Sequence, residues 1–135
     1  ANQPTSTSAG DGLALTGAWV AAAVRCAPPA NAPTPLERDT CVPYLARELA
    51  LLDRLRVVVA LGGLAYVAVA RLVGVRPRPR FGHGVEVALP DGRWLLASYH
   101  PSQQNTFTGT LTEEMLDAVF VRARQLTSAP TSPTA

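Results

Sequence analysis

The segment that most narrows the fold is Val57-Val58-Val59-Ala60-Leu61, entered from Arg56 and closed by Gly62-Gly63. Five successive apolar residues, three of them β-branched, leave no polar face, which predicts a fully buried parallel strand. Parallel strands cannot be joined by a tight turn and need a crossover, usually a helix. The next residues supply one: Leu64 to Val73 reads as a helix stopped by Gly74.

The rest of the chain fits the same alternation. Trp19 to Val24 is a second short apolar run and reads as a buried strand. It gives way at Arg25-Cys26 to Ala27-Pro28-Pro29-Ala30-Asn31-Ala32-Pro33, whose prolines exclude helix and inner strand. Thr34-Pro35-Leu36-Glu37 is a helix start, with Thr34 as cap, Pro35 at the first helical position and Glu37 completing a capping box. Val42, Leu45, Leu49 and Leu52 follow at helical spacing, so this helix is expected over residues 35–53.

Arg76-Pro77-Arg78-Pro79-Arg80 reads as an extended basic loop. Val85 to Leu89 and Trp94 to Ser98 flank Pro90-Asp91-Gly92 as a hairpin. Tyr99 to Thr110 is read as a loop. Thr112 then caps a last helix over 113–126, with Leu111 and Leu116 placed as a hydrophobic staple. Ala1 to Asp11 reads as a lead-in loop and Thr127 to Ala135 as a frayed tail. At 135 residues the chain is expected to hold one domain, an α/β sandwich with a largely parallel sheet.

Hydrophobic residues at 47% and charged residues at 16% exclude a wholly disordered chain. A net charge of +2 permits nucleic-acid binding without announcing it. All 12 basic residues are arginine. A GC-rich coding bias explains that first, and the affinity of the planar guanidinium for phosphate second. Ala1 to Gly10 lacks the apolar core of a signal peptide. The apolar runs at 57–70 and 94–99 are too short or too interrupted to span a bilayer. The expectation is a soluble, cytoplasmic bacterial protein with no membrane partner. The start at Ala1 rather than Met is read as that of an incomplete gene product.

In open α/β sheets, ligands bind outside the carboxyl ends of the strands. Two loops take that position, Cys26 to Pro33 and His100-Pro101-Ser102-Gln103-Gln104-Asn105. The second gathers an imidazole, a hydroxyl and three amides, groups that can donate to an anion or a base edge. An ordinary polar loop is the plainer reading. The two cysteines, Cys26 and Cys41, form no C-x-x-C pair. Two buried thiols, one disulfide and half of a four-thiolate metal site all fit them.

Thr16-Gly17-Ala18-Trp19-Val20 through Val24-Arg25-Cys26-Ala27-Pro28-Pro29-Ala30-Asn31 resembles the strand and first retained cysteine of the iron–sulfur uracil-DNA glycosylases. Cys41 falls where that family places its last ligand. His100-Pro101-Ser102 and Asn105, followed by Thr108-Gly109 and Leu111-Thr112, resemble the second catalytic motif of the type 5 branch. Ala22 stands where the type 4 branch has Asn. The resemblance covers residues 1–126, and its weight lies in the order of the motifs.

The resemblance implies a three-layer αβα sandwich of the uracil-DNA glycosylase type, lacking the N-terminal strand. It implies base-excision repair, in which the N-glycosidic bond of uracil, hypoxanthine or xanthine in DNA is hydrolysed after base flipping. His100 would donate to the leaving base, and Asn31 would line the base pocket. Pro101 and Ser102 would press on the DNA backbone, and Gln103, Gln104 and Asn105 would contact the minor-groove side. Arg25 and the arginines at 76, 78 and 80 would neutralise phosphates. His83, within Phe81-Gly82-His83-Gly84, reads as structural. Cys26 and Cys41 would be two of the four ligands of a structural 4Fe-4S cluster.

In that family the other two cysteines, a Gly-rich first catalytic motif and the first strand lie upstream. The chain therefore reads as the C-terminal portion of an enzyme that is monomeric at full length, a portion inactive and unable to hold the cluster alone. A non-catalytic DNA-binding remnant and a generic α/β domain are the alternatives.

Overall fold

The computed structural model describes residues 2–3, 7–8, 10–15, 17–22 and 35–128, without the side chains of residues 35 and 37–40. The elements are α1 (Pro35–Leu51), β1 (Val57–Leu61), α2 (Gly63–Leu72), β2 (Glu86–Ala88), β3 (Trp94–Ser98), α3 (Gln103–Phe107) and α4 (Glu113–Ser128). The three strands form one sheet in the order β1-β3-β2. β1 runs parallel to β3, from Val57 opposite Trp94 to Leu61 opposite Ser98. β2 returns antiparallel, with Val87 opposite Leu95, which is the expected hairpin. The hairpin turn is drawn tight by Asp91, whose carboxylate accepts from the backbone and guanidinium of Arg93.

Period-2 alternation divides the sheet residues between two helical layers. Leu95 and Ala97 share a core with Ala60, Val87 and Leu89, with Tyr66, Val69 and Ala70 of α2, and with Leu45 of α1. Leu96 alternates to the opposite face and is equally enclosed. α4 packs against β3 and β1 and buries Val119 and Leu126. The result is the mixed α/β sandwich with a small sheet that the sequence predicts. Among the described residues, no helix is long and apolar enough to cross a membrane.

The helix ends obey local chemistry. α2 closes at Gly74, at φ 77°, where the Gly74 N–H donates to Arg71 O and the Val75 N–H to Ala70 O. These are the two bonds of a Schellman motif, and they need the left-handed residue that glycine supplies. α4 opens on Thr112, whose Oγ1 accepts from the Met115 N–H at 3.1 Å, with Glu113 and Glu114 in the first turn. In α1, Leu45 is buried in the core and Leu49 packs against it, as the spacing predicts. Thr34 and the Glu37 side chain, the proposed capping box, lie outside the described residues.

Four expectations are corrected. Residues 19–22 are neither strand nor buried: Trp19 is 65% and Val20 78% exposed. An apolar run becomes a strand only where it finds a partner edge. Here it lies along α1, with Trp19 Nε1 donating to Glu48 Oε2 at 3.1 Å. Of that predicted strand, residues 23 and 24 lie outside the described residues. Next, β1 is not fully buried, since only Ala60 is enclosed. Among the described residues β3 is its one neighbour. The loop expected at 99–110 contains the short helix α3. Finally, Thr127 and Ser128 belong to α4, not to a tail, and each hydroxyl donates to Arg124 O.

Candidate active site

Because β1 and β3 are parallel and in register, both chains leave the sheet at one edge. β1 exits into Gly62 and β3 into Tyr99-His100. The Gly62 N–H donates to Ser98 O at 2.8 Å, which stitches the two exits together. Gly62 adopts φ 99° and ψ 162°, a region essentially restricted to glycine. A Cβ at Gly62 would stand 3.2 Å from His100 Cβ and 3.5 Å from His100 Cδ2. The imidazole of His100 therefore rests on bare backbone between β1 and α2, while the residue as a whole remains exposed.

The backbone on either side of that imidazole is held by side chains. The Tyr99 N–H donates to His83 Nδ1 at 3.1 Å, and Tyr99 O accepts from Ser98 Oγ at 2.9 Å. With Nδ1 accepting, the proton of His83 resides on Nε2, which donates to Met115 O in α4 at 3.2 Å. The ring of Tyr99 lies 5.1 Å from that of His83 and meets Phe81 edge-on at 6.2 Å. His83 is thus the structural residue the sequence predicts, a tie between the β3 exit and α4.

Beyond His100 the chain closes on itself. His100 O accepts from the Ser102 N–H and from Asn105 Nδ2, each at 2.8 Å. Ser102 Oγ accepts from the Asn105 N–H, capping α3. Asn105 O in turn accepts from the Leu111 N–H at 3.0 Å, and Leu111 is buried.

The fold gathers six of the predicted site residues in one stretch, His100, Pro101, Ser102, Gln103, Gln104 and Asn105. Two of them are already engaged, since Ser102 and Asn105 hold the loop's own backbone. The side chains of Gln103 and Gln104 are exposed and make no hydrogen bond among the described residues. Arg25, Cys26 and Asn31 lie outside the described residues. Cys41 is buried on α1. Among the described residues, no three His, Cys, Asp or Glu side chains gather closely enough to hold a metal. Two cysteines supply at most half of a four-thiolate set. Sequence reasoning missed Gly62, Ser98 and Tyr99. The signal available for them was a Gly-Gly pair directly after a parallel strand, the place where such sheets build their sites.

A parallel pair that opens onto a self-tied His-Pro-Ser loop defines a class. This chain belongs to the uracil DNA glycosylase superfamily, whose pattern it matches over residues 5–124. Its likeness is to the type 5 branch. It is 52% identical over 128 residues to the type-5 uracil-DNA glycosylase of Mycobacterium bovis, a match covering 93% of this chain and 48% of the relative. Identity to the type-5 uracil-DNA glycosylase of Thermus thermophilus is 50% over 118 residues, 87% of this chain and 54% of the relative. For that of Pyrobaculum aerophilum it is 44% over 122 residues, 90% and 53%. The chain spans about half the length of these relatives.

Proposed function

We propose that this chain carries the leaving-group side of a DNA glycosylase site, acting on uracil or another deaminated base that has been flipped from the duplex. Breaking the N-glycosidic bond leaves negative charge on the departing base, and a fixed N–H aimed at that charge lowers the barrier. His100 is the group we assign to this role. The supporting observation is its placement: the imidazole rests on Gly62, and the residues on both sides of it are fixed by His83, Ser98, Ser102 and Asn105. Such pre-set geometry is what distinguishes a catalytic donor from a mobile surface histidine.

In this reading Asn31 lines the base pocket and Pro101 abuts the DNA backbone beside the flipped nucleotide. Gln103 and Gln104 supply free amides to the minor-groove side, and Arg25 meets a phosphate. Ser102 and Asn105 act mainly by holding the loop. Family likeness alone supports a structural 4Fe-4S cluster with Cys26 and Cys41 among its ligands. This chain's two thiols do not complete it.

Since the chain alone is expected to be inactive, the test is base release from a uracil-containing duplex by a protein of the relatives' length that carries this segment. His100→Ala should slow release by about 100- to 1000-fold, on the order of 3 kcal/mol, with little change in affinity for the same duplex. Full activity in that variant would remove His100 from the role.

A further inference from the structure

Pro79, Arg80 and Phe81 cross the same edge of the sheet as His100. The Tyr66 hydroxyl, rooted in the core of α2, donates to Pro79 O at 2.6 Å. The Phe81 ring lies 5.6 Å from that of Tyr66 and 6.2 Å from that of Tyr99. It also covers Gly63, where an added Cβ would stand 3.6 Å from Phe81 Cδ1, next to the Gly62 that His100 covers. Arg80 is therefore gripped through both neighbours, yet is itself exposed. Arg76 and Arg78 precede it, also exposed, on a segment that Pro77 and Pro79 keep out of any helix.

Among the described residues, no acidic side chain pairs with the charges on this strap. Arg93 and Arg122 are paired with Asp91 and Glu86. Arg76, Arg78 and Arg80 have no ion pair or side-chain hydrogen bond among the described residues. The field of Arg78 reaches inward to Tyr66, where burial pushes the phenol's pKa up and the guanidinium pulls it down. Three unpaired cations within five residues exceed the net charge of the whole chain, +2. A guanidinium offers a planar fork that meets phosphate oxygens bidentately.

We propose that the Arg76–Arg80 strap binds the sugar-phosphate backbone of duplex DNA beside the extruded nucleotide. Arg80 carries the largest share because its backbone is fixed nearest His100. The proposal rests on the glycosylase reading of that site. It adds a second contact surface, formed by a different segment, that sets affinity and its salt dependence without touching the base.

The experiment is a salt titration of binding to a fluorescein-labelled uracil-containing duplex, read by anisotropy, for the unsubstituted protein and for Arg80→Gln, Arg80→Lys and the triple Arg76→Gln/Arg78→Gln/Arg80→Gln variant. Arg80→Gln should weaken binding several-fold and lower the slope of log K against log salt by about 0.9. The triple variant should lower that slope by more, and Arg80→Lys should retain it. Equal thermal midpoints would confirm that the variants are folded, and Arg80→Gln alone suffices if the triple variant is not. An unchanged slope in Arg80→Gln and the triple variant would overturn the proposal. So would an equal loss of affinity for poly-glutamate, which would assign the strap to acidic proteins. Base release by a protein of the relatives' length that carries this segment reads the glycosylase assignment separately: release with an unchanged slope sinks only the strap, and failure to bind the duplex at all sinks both.

Discussion

Two apolar runs, Trp19–Val24 and Val57–Leu61, have the same look in the sequence and opposite fates in the fold. The second pairs with β3 along its whole length and delivers Gly62 to the site. The described part of the first lies exposed along α1, with Trp19 tethered to Glu48. Composition does not separate them. What separates them is pairing itself, because a strand is completed by its partner's N–H and C=O groups and not by its own side chains. The site lies where the run is paired.

Mutations can sharpen that contrast or break it. The largest effect is expected in the paired region. Leu95→Ala, at the register partner of Val58 and fully enclosed, should cost about 2–5 kcal/mol in denaturant unfolding. Val20→Ala should stay within about 0.5 kcal/mol. A comparable loss at Val20 would mean that the first run is packed in solution, and the contrast would fail.

Gly62→Ala should come next, at about 1–3 kcal/mol, because a side chain at that φ and ψ is strained and its Cβ meets His100. On the glycosylase reading, in a protein of the relatives' length that carries this segment, base release should fall with it while a Val20 variant should release base normally. Tyr66→Phe removes the hydroxyl that holds Pro79 O and should cost about 1 kcal/mol.

The smallest effect belongs to a surface pair. Arg122 donates to the Glu86 carboxylate from α4, and that hydrogen bond holds the Glu86 pKa below its ordinary 4.5, against a smaller opposing push from burial. A carboxyl with a lowered folded pKa adds stability that is present above its unfolded value and is lost as pH falls through the folded one. Arg122→Gln should therefore lower the thermal midpoint only slightly at neutral pH. That lowering should fade below pH 4.5 in pH-dependent thermal melts.

Elements specified by neighbours in the chain were legible in the sequence. Gly74 announced the end of α2, Thr112 the start of α4, and Asp91-Gly92 the hairpin, because in each the cap or turn bonds to residues a few positions away. His83 was rightly read as structural. Features that depend on distant partners were not legible. No local pattern reports whether the Trp19 run finds a partner strand, or that only Ala60 of β1 is enclosed. α3 was missed because four polar residues and Phe107 carry no periodicity, and its helix is set by the Ser102 cap. The loop at His100 was legible as chemistry, but the engagement of Ser102 and Asn105 within it was not. Arg25, Cys26 and Asn31 lie outside the described residues, so their assignment rests on family likeness.

The bonds that close the His100 loop have one more consequence. A segment whose shape is already fixed by His83, Ser98, Ser102 and Asn105 has little conformational entropy left to lose when a ligand arrives. On the glycosylase reading, the work of rearrangement then falls on the nucleic acid, which must unstack and swing out one nucleotide against a stationary surface. A lesion that is already poorly stacked or mispaired costs less to extrude. In that way the rigidity of a protein loop becomes a preference among damaged sites, set by the mechanics of the duplex as much as by contacts to the base.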